Sequence, residues 1–75
     1  ILLLQKQTSA PGEMALIILN KDIFNHQQII IPDLTRIFDG NKPIYDVSPE
    51  YRLDWVNLNF EYNLRPGQII VLYQK

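Results

Sequence analysis

The stretch from Asn57 to Tyr73 leaves this chain little choice of secondary structure. Asn57-Leu58-Asn59-Phe60-Glu61-Tyr62-Asn63-Leu64 alternates without a break, with Asn, Asn, Glu and Asn at odd positions and Leu, Phe, Tyr and Leu at even ones. Successive side chains of a strand point to opposite faces, so this pattern makes one dry face and one wet face. Arg65-Pro66-Gly67-Gln68 follows. Pro66 presets φ for the second position of a turn, and Gly67 accepts the positive φ of a type II third position. Such a corner differs from the primed turns that favour two-residue hairpins, so a wider loop or a crossing between sheets is expected here. Ile69-Ile70-Val71-Leu72-Tyr73 is β-branched and nearly continuous in apolar character, as in a strand covered on both sides or closing a core.

Similar signals recur upstream. Ile1 to Gln7 reads as a first strand, followed by a loop over Thr8 to Glu13 with Pro11-Gly12 as its turn. Met14 to Lys21 reads as a second strand. Its centre, Ala15-Leu16-Ile17-Ile18-Leu19, implies burial on both faces and an inner position; a buried helical turn also fits so short a run, but its β-branched pair favours a strand. Asn20 to His26 is a long polar connection with two apolar insertions. Gln27 to Ile31 is a third strand, closed by Pro32, which cannot donate to a ladder. Pro32 to Phe38 fits one helical turn with Leu34, Ile37 and Phe38 on one side. Asp39 to Pro43 is a turn cluster, Ile44 to Val47 a short fourth strand ended by Ser48-Pro49, and Glu50 to Val56 irregular. About six strands at roughly ten-residue spacing argue for an all-β fold, a small sandwich or barrel, in a single domain over residues 1–75.

A chain of 75 residues has a small core, and domains of this size commonly add disulfides, a metal or a partner. There is no Cys and one His, which excludes disulfides and makes a structural zinc site implausible. A partner surface is the expected source of further stabilisation. The net charge is −1, with Lys and Arg scattered rather than striped, so the footprint of a nucleic-acid binder is missing. No apolar run approaches a membrane span, and Ile1-Leu2-Leu3-Leu4 lacks the features of a signal peptide. Opening on Ile1 rather than Met suggests a piece of a longer protein, and the lack of Cys favours a cytoplasmic origin.

Reactive chemistry finds little support. His26 sits among Asn25, Gln27 and Gln28 with no nucleophile motif, and reads as a solvated loop residue. Asp46, Glu50 and Asp54 form the densest carboxylate group, but a chain this small leaves little room for a catalytic cleft, and the EF-hand spacing is absent. Asp46, two residues before Ser48-Pro49, reads instead as an Asx-type turn former. The glycines are isolated, so no nucleotide-binding loop is expected. No catalytic residue, cofactor or metal ligand is therefore assigned. Phe60 and Tyr62 belong to a core face. Trp55 and Tyr51 lie where core periodicity does not explain them, and three readings stay open for them, a core position, a partner surface and stacking on a glycan; with Phe38 they are the candidate exposed contacts.

Three segments, in order, carry a resemblance. Ala15-Leu16-Ile17-Ile18-Leu19-Asn20, then Gly40 to Asp46-Val47-Ser48, then Tyr62-Asn63-Leu64-Arg65-Pro66-Gly67-Gln68-Ile69-Ile70-Val71-Leu72 resemble the C-terminal domain of α-amylase-family glycoside hydrolases. Leu2-Leu3-Leu4-Gln5-Lys6-Gln7 also resembles that domain's first strand. The resemblance implies an antiparallel Greek-key β-sandwich packed against the catalytic (β/α)8 barrel of a parent enzyme that hydrolyses or transfers α-glucosidic bonds in starch, glycogen or maltooligosaccharides. The family's catalytic carboxylates belong to the barrel, and none maps onto a position here. The function so implied is a non-catalytic accessory domain that stabilises the barrel. The alternatives are an independent carbohydrate-binding module for α-glucan and a protein-interaction domain unrelated to sugars.

Overall fold

A computed structural model of the chain describes residues 1–7 and 13–75. The described residues form six strands, β1 (Leu2–Gln7), β2 (Met14–Leu19), β3 (Gln27–Ile31), β4 (Tyr45–Asp46), β5 (Phe60–Leu64) and β6 (Ile69–Gln74), with one 3-10 turn at Leu34–Arg36. The strands form two antiparallel sheets, one of four strands in the order β1-β2-β6-β4 and one of two, β3-β5. The protein is thus the small all-β sandwich that its strand and turn signals predict. The Pro11-Gly12 turn expected between β1 and β2 lies outside the described residues.

Alternation fills the space between the sheets. Leu16 and Ile18 of β2 and Ile70 and Leu72 of β6 meet Ile29 of β3 and Phe60 and Leu64 of β5 in one core. Asp33 caps the 3-10 turn by accepting from the Thr35 N–H at 3.0 Å. The Thr35 hydroxyl and amide together hold the Asp33 carboxyl below the usual carboxylate range. Within the same turn the Phe38 N–H donates to the Leu34 carbonyl at 2.8 Å, which brings both side chains to one side and closes an end of the core. Phe38 is therefore 2% exposed, and its reading as a surface contact is corrected.

The corner at Arg65 to Gln68 is a β-turn, with Gly67 at φ 70° and the Gln68 N–H donating to the Arg65 carbonyl at 3.0 Å. It carries the chain from the small sheet to the large one, the second of the two outcomes expected. Asn20, fully buried, fastens this corner to the end of β2. Its amide donates to the carbonyls of Asn25 and Arg65, each at 3.0 Å, and its side-chain oxygen accepts from the Asp22 N–H at 3.0 Å. Its own N–H donates to the Gln68 carbonyl at 3.0 Å. A buried amide with all these partners stabilises the corner, whereas an unpartnered one would cost about 1–3 kcal/mol.

Asp46 makes the Asx turn expected of it. One carboxylate oxygen accepts from the Ser48 N–H at 2.9 Å and from the Ser48 hydroxyl, and the other accepts from the Leu53 N–H at 2.9 Å. Ser48 Oγ in turn accepts from the Val71 N–H at 2.9 Å, so the end of β4 is joined to β6 through a side chain. Among the described residues no buried side-chain nitrogen or oxygen lacks a partner.

Two readings need correction. The dry face of β5 begins at Phe60, because Leu58 is exposed and its carbonyl is used to accept from the Leu34 N–H at 2.9 Å. The apolar run of β2, although on the inner strand expected, is covered by the core on one face only, because the second sheet lies on a single side, while β6 closes the core, the second of the two roles read for it.

Candidate docking surface

The uncovered side of the four-stranded sheet is as apolar as the covered one. Strand register lays its side chains out in rungs. Leu2, Leu19 and Ile69 form the first, and Leu4, Ile17 and Val71 the second. Lys6, Ala15, Tyr73 and Tyr45 form the third. Val47, whose N–H donates to the Val71 carbonyl at 2.9 Å, lengthens the second rung. Lys6 is the one charged side chain in the three rungs. Leu2, Leu4, Ile69, Tyr45 and Val47 are exposed, and Ala15, Ile17, Leu19, Val71 and Tyr73 are half-buried. Partial burial, and after it the Glu13 carboxylate, push the Tyr73 hydroxyl above its usual range.

Strand β1 adds to this surface. It pairs with β2 along one edge only, and every one of its residues is exposed. On the core side of the sheet its Leu3 and Gln5 line an open depression with Ile31, Arg36 and Ile37, where the small sheet stops short. An edge strand with Leu2, Leu3 and Leu4 all exposed is a liability that a chain normally blunts or covers.

A second apolar feature is the tip between β2 and β3. Ile23 and Phe24 are 70% and 83% exposed, yet the turn that carries them is well organised. The Asp22 carboxylate accepts from the N–H groups of Phe24 and Asn25, at 2.9 and 3.1 Å, and from the side-chain amide of Asn25. These hydrogen bonds, the Phe24 one foremost, hold the Asp22 carboxyl below its usual range. Sequence reasoning passes over this tip because two apolar residues in a polar connection carry no periodicity.

The three residues singled out from sequence go to different places. Phe38 is in the core. Tyr51 is exposed and lies under the Arg65 guanidinium, 4.3 Å from ring centre to the guanidinium carbon, with its hydroxyl accepting from Arg65 Nη1 at 2.9 Å. Trp55 is 77% exposed, and its indole N–H donates to Asn57 Oδ1 at 2.7 Å. It lines an open groove of about 660 Å³ between Gly40, Lys42 and Ile44 on one side and the segment 55–59 on the other. His26 is exposed on the polar connection. Among the described residues no group of three or more His, Cys, Asp or Glu side chains is placed to hold a metal ion, and no helix is long and apolar enough to cross a membrane. Comparison of the chain with family models, with curated proteins and with solved structures finds no match.

Proposed function

We propose that this chain is a non-catalytic accessory β-sandwich, and that it acts by seating the outer face of its four-stranded sheet on a larger catalytic body. The observation that carries this reading is the pair of inner strands, β2 and β6, apolar on both faces and covered on one. A strand that is continuously apolar is suited to burial on both sides. A contiguous apolar sheet face bounded by polar residues marks an interaction surface. Covering it supplies the apolar burial that a chain of this length has little of on its own, at about 25 cal/mol per Å² removed from water.

The resemblance of Ala15 to Asn20, Gly40 to Ser48 and Tyr62 to Leu72 to the C-terminal domain of α-amylase-family enzymes gives the catalytic body an identity: the (β/α)8 barrel of an enzyme acting on α-glucans. Two of these segments hold polar anchors of the fold, Asn20 at the end of β2 and the Asp46–Ser48 turn after β4. On this reading the domain's contribution is mechanical. It stabilises the barrel and takes no part in bond cleavage.

The test is a charge placed on the face within the complete enzyme. Ile17→Lys and Val71→Lys should each lower the melting temperature of the enzyme while leaving turnover at moderate temperature unchanged. Melting temperatures equal to that of the parent enzyme would overturn the reading.

A further inference from the structure

The groove beside Trp55 lies apart from the rungs of the outer sheet face, and it has a different chemistry. Trp is the largest apolar side chain available to a core, yet Trp55 is left 77% exposed. Its N–H bond to Asn57 Oδ1 ties the indole to the groove wall, and the Asn57 amide NH2 makes no hydrogen bond to the described residues. Asn59 is exposed in the same wall, and its side-chain amide makes no hydrogen bond to the described residues. Lys42, opposite, is the single charged residue lining the groove.

We infer that this groove binds a neutral oligosaccharide, with Trp55 against the apolar C–H face of one sugar ring and the amides of Asn57 and Asn59 on its hydroxyls. A sugar ring presents those two surfaces together, and an amide both donates and accepts, as adjacent hydroxyls do. A purely apolar ligand would bury the two amides without partners, which is costly. A multiply charged anion would meet one cation only. The groove volume is within the range of small-ligand sites. This inference goes beyond the docking role and does not depend on it.

Trp55 is the only tryptophan in the chain, so its emission reports on this groove alone. The 75-residue chain would be titrated with maltoheptaose and, separately, with cellohexaose. A saturable change in emission with at least one of them is expected, weakened about tenfold or more by Asn57→Ala, with Ile17→Lys binding as the parent chain does. Amide chemical shifts of Lys42 and Asn59 would follow the same titration in Trp55→Ala, where the perturbation should disappear. Emission unmoved by both sugars, or Lys42 and Asn59 shifts that persist undiminished in Trp55→Ala, would overturn the proposal. Because Ile17→Lys disturbs the docking face and leaves the groove intact, failure of one reading is distinguishable from failure of the other.

Discussion

Ile17 of β2 and Val71 of β6 stand directly opposite each other across the centre of the large sheet, on the side that faces away from the core. Their chain neighbours Leu16 and Leu72 form the adjacent pair and are buried on the other side. One residue of offset thus separates a side chain that holds the sandwich together from one that is half open to water.

That offset should be visible in stability. Leu72→Ala removes a fully buried side chain and should destabilise the chain by about 2–5 kcal/mol. Val71→Ala removes one that is half exposed and should cost clearly less. Urea unfolding of the two variants checks this; equal losses would contradict the placement of the core.

Asn20→Ala should loosen the crossing between the sheets. It deprives the Arg65 and Asn25 carbonyls and the Asp22 N–H of a buried partner, with an expected loss of about 1–3 kcal/mol. Amide exchange should quicken at Gly67 and Gln68, whose N–H groups close the corner, before it does in the centre of β6. Uniform quickening would mean that Asn20 acts on the whole fold rather than on the corner.

Ser48→Ala should cost a similar amount, about 1–3 kcal/mol, for a different reason. It leaves the Val71 N–H without its acceptor at the edge where β4 ends, and removes a donor to Asp46. Ser48→Thr keeps the hydroxyl and should restore most of the loss if the added methyl is accommodated. Denaturant midpoints of the two variants provide the comparison, and a Ser48→Ala midpoint equal to that of the parent would contradict the role given to the hydroxyl.

Acid should act on the Ile23–Phe24 tip. The Asp22 carboxyl has a lowered folded-state pKa, so its contribution is complete above the unfolded-state value of about 4 and is lost as pH falls through the lower folded value. Nuclear magnetic resonance shifts of the Phe24 and Asn25 N–H groups should titrate together in that window. Asp22→Asn should abolish the transition. A titration of these groups near neutral pH would contradict the assignment.

Most of the fold is legible in the sequence because its signals are local. The alternation of Phe60 to Leu64, the Pro66-Gly67 corner, the Asx turn at Asp46 and the helical spacing of Leu34 and Phe38 each state a geometry within a few residues. Phe38 shows the limit: its helical spacing with Leu34 marks it for burial, and that position outweighs the contact chemistry of an aromatic ring. Strand neighbours were not legible, since nothing local tells β6 to lie between β2 and β4. The docking face was half legible. The run at Ala15 to Leu19 announces a strand to be covered twice and that at Ile69 to Leu72 one covered twice or closing a core, but only the sheet order reveals that one cover is missing. The groove at Trp55 joins residues from two connections distant in sequence, and its one legible mark was an aromatic outside any periodic segment.

The docking of the sheet face can be tested most directly with a single thiol. The chain has no cysteine, so Ile17→Cys introduces a unique reporter within it. Alkylation of that position would be followed by peptide mass spectrometry in the isolated chain and in the complete enzyme. Ready labelling is expected in the first and strong protection in the second. Equal labelling in both would show that nothing covers the face, and the proposed role would fall with it.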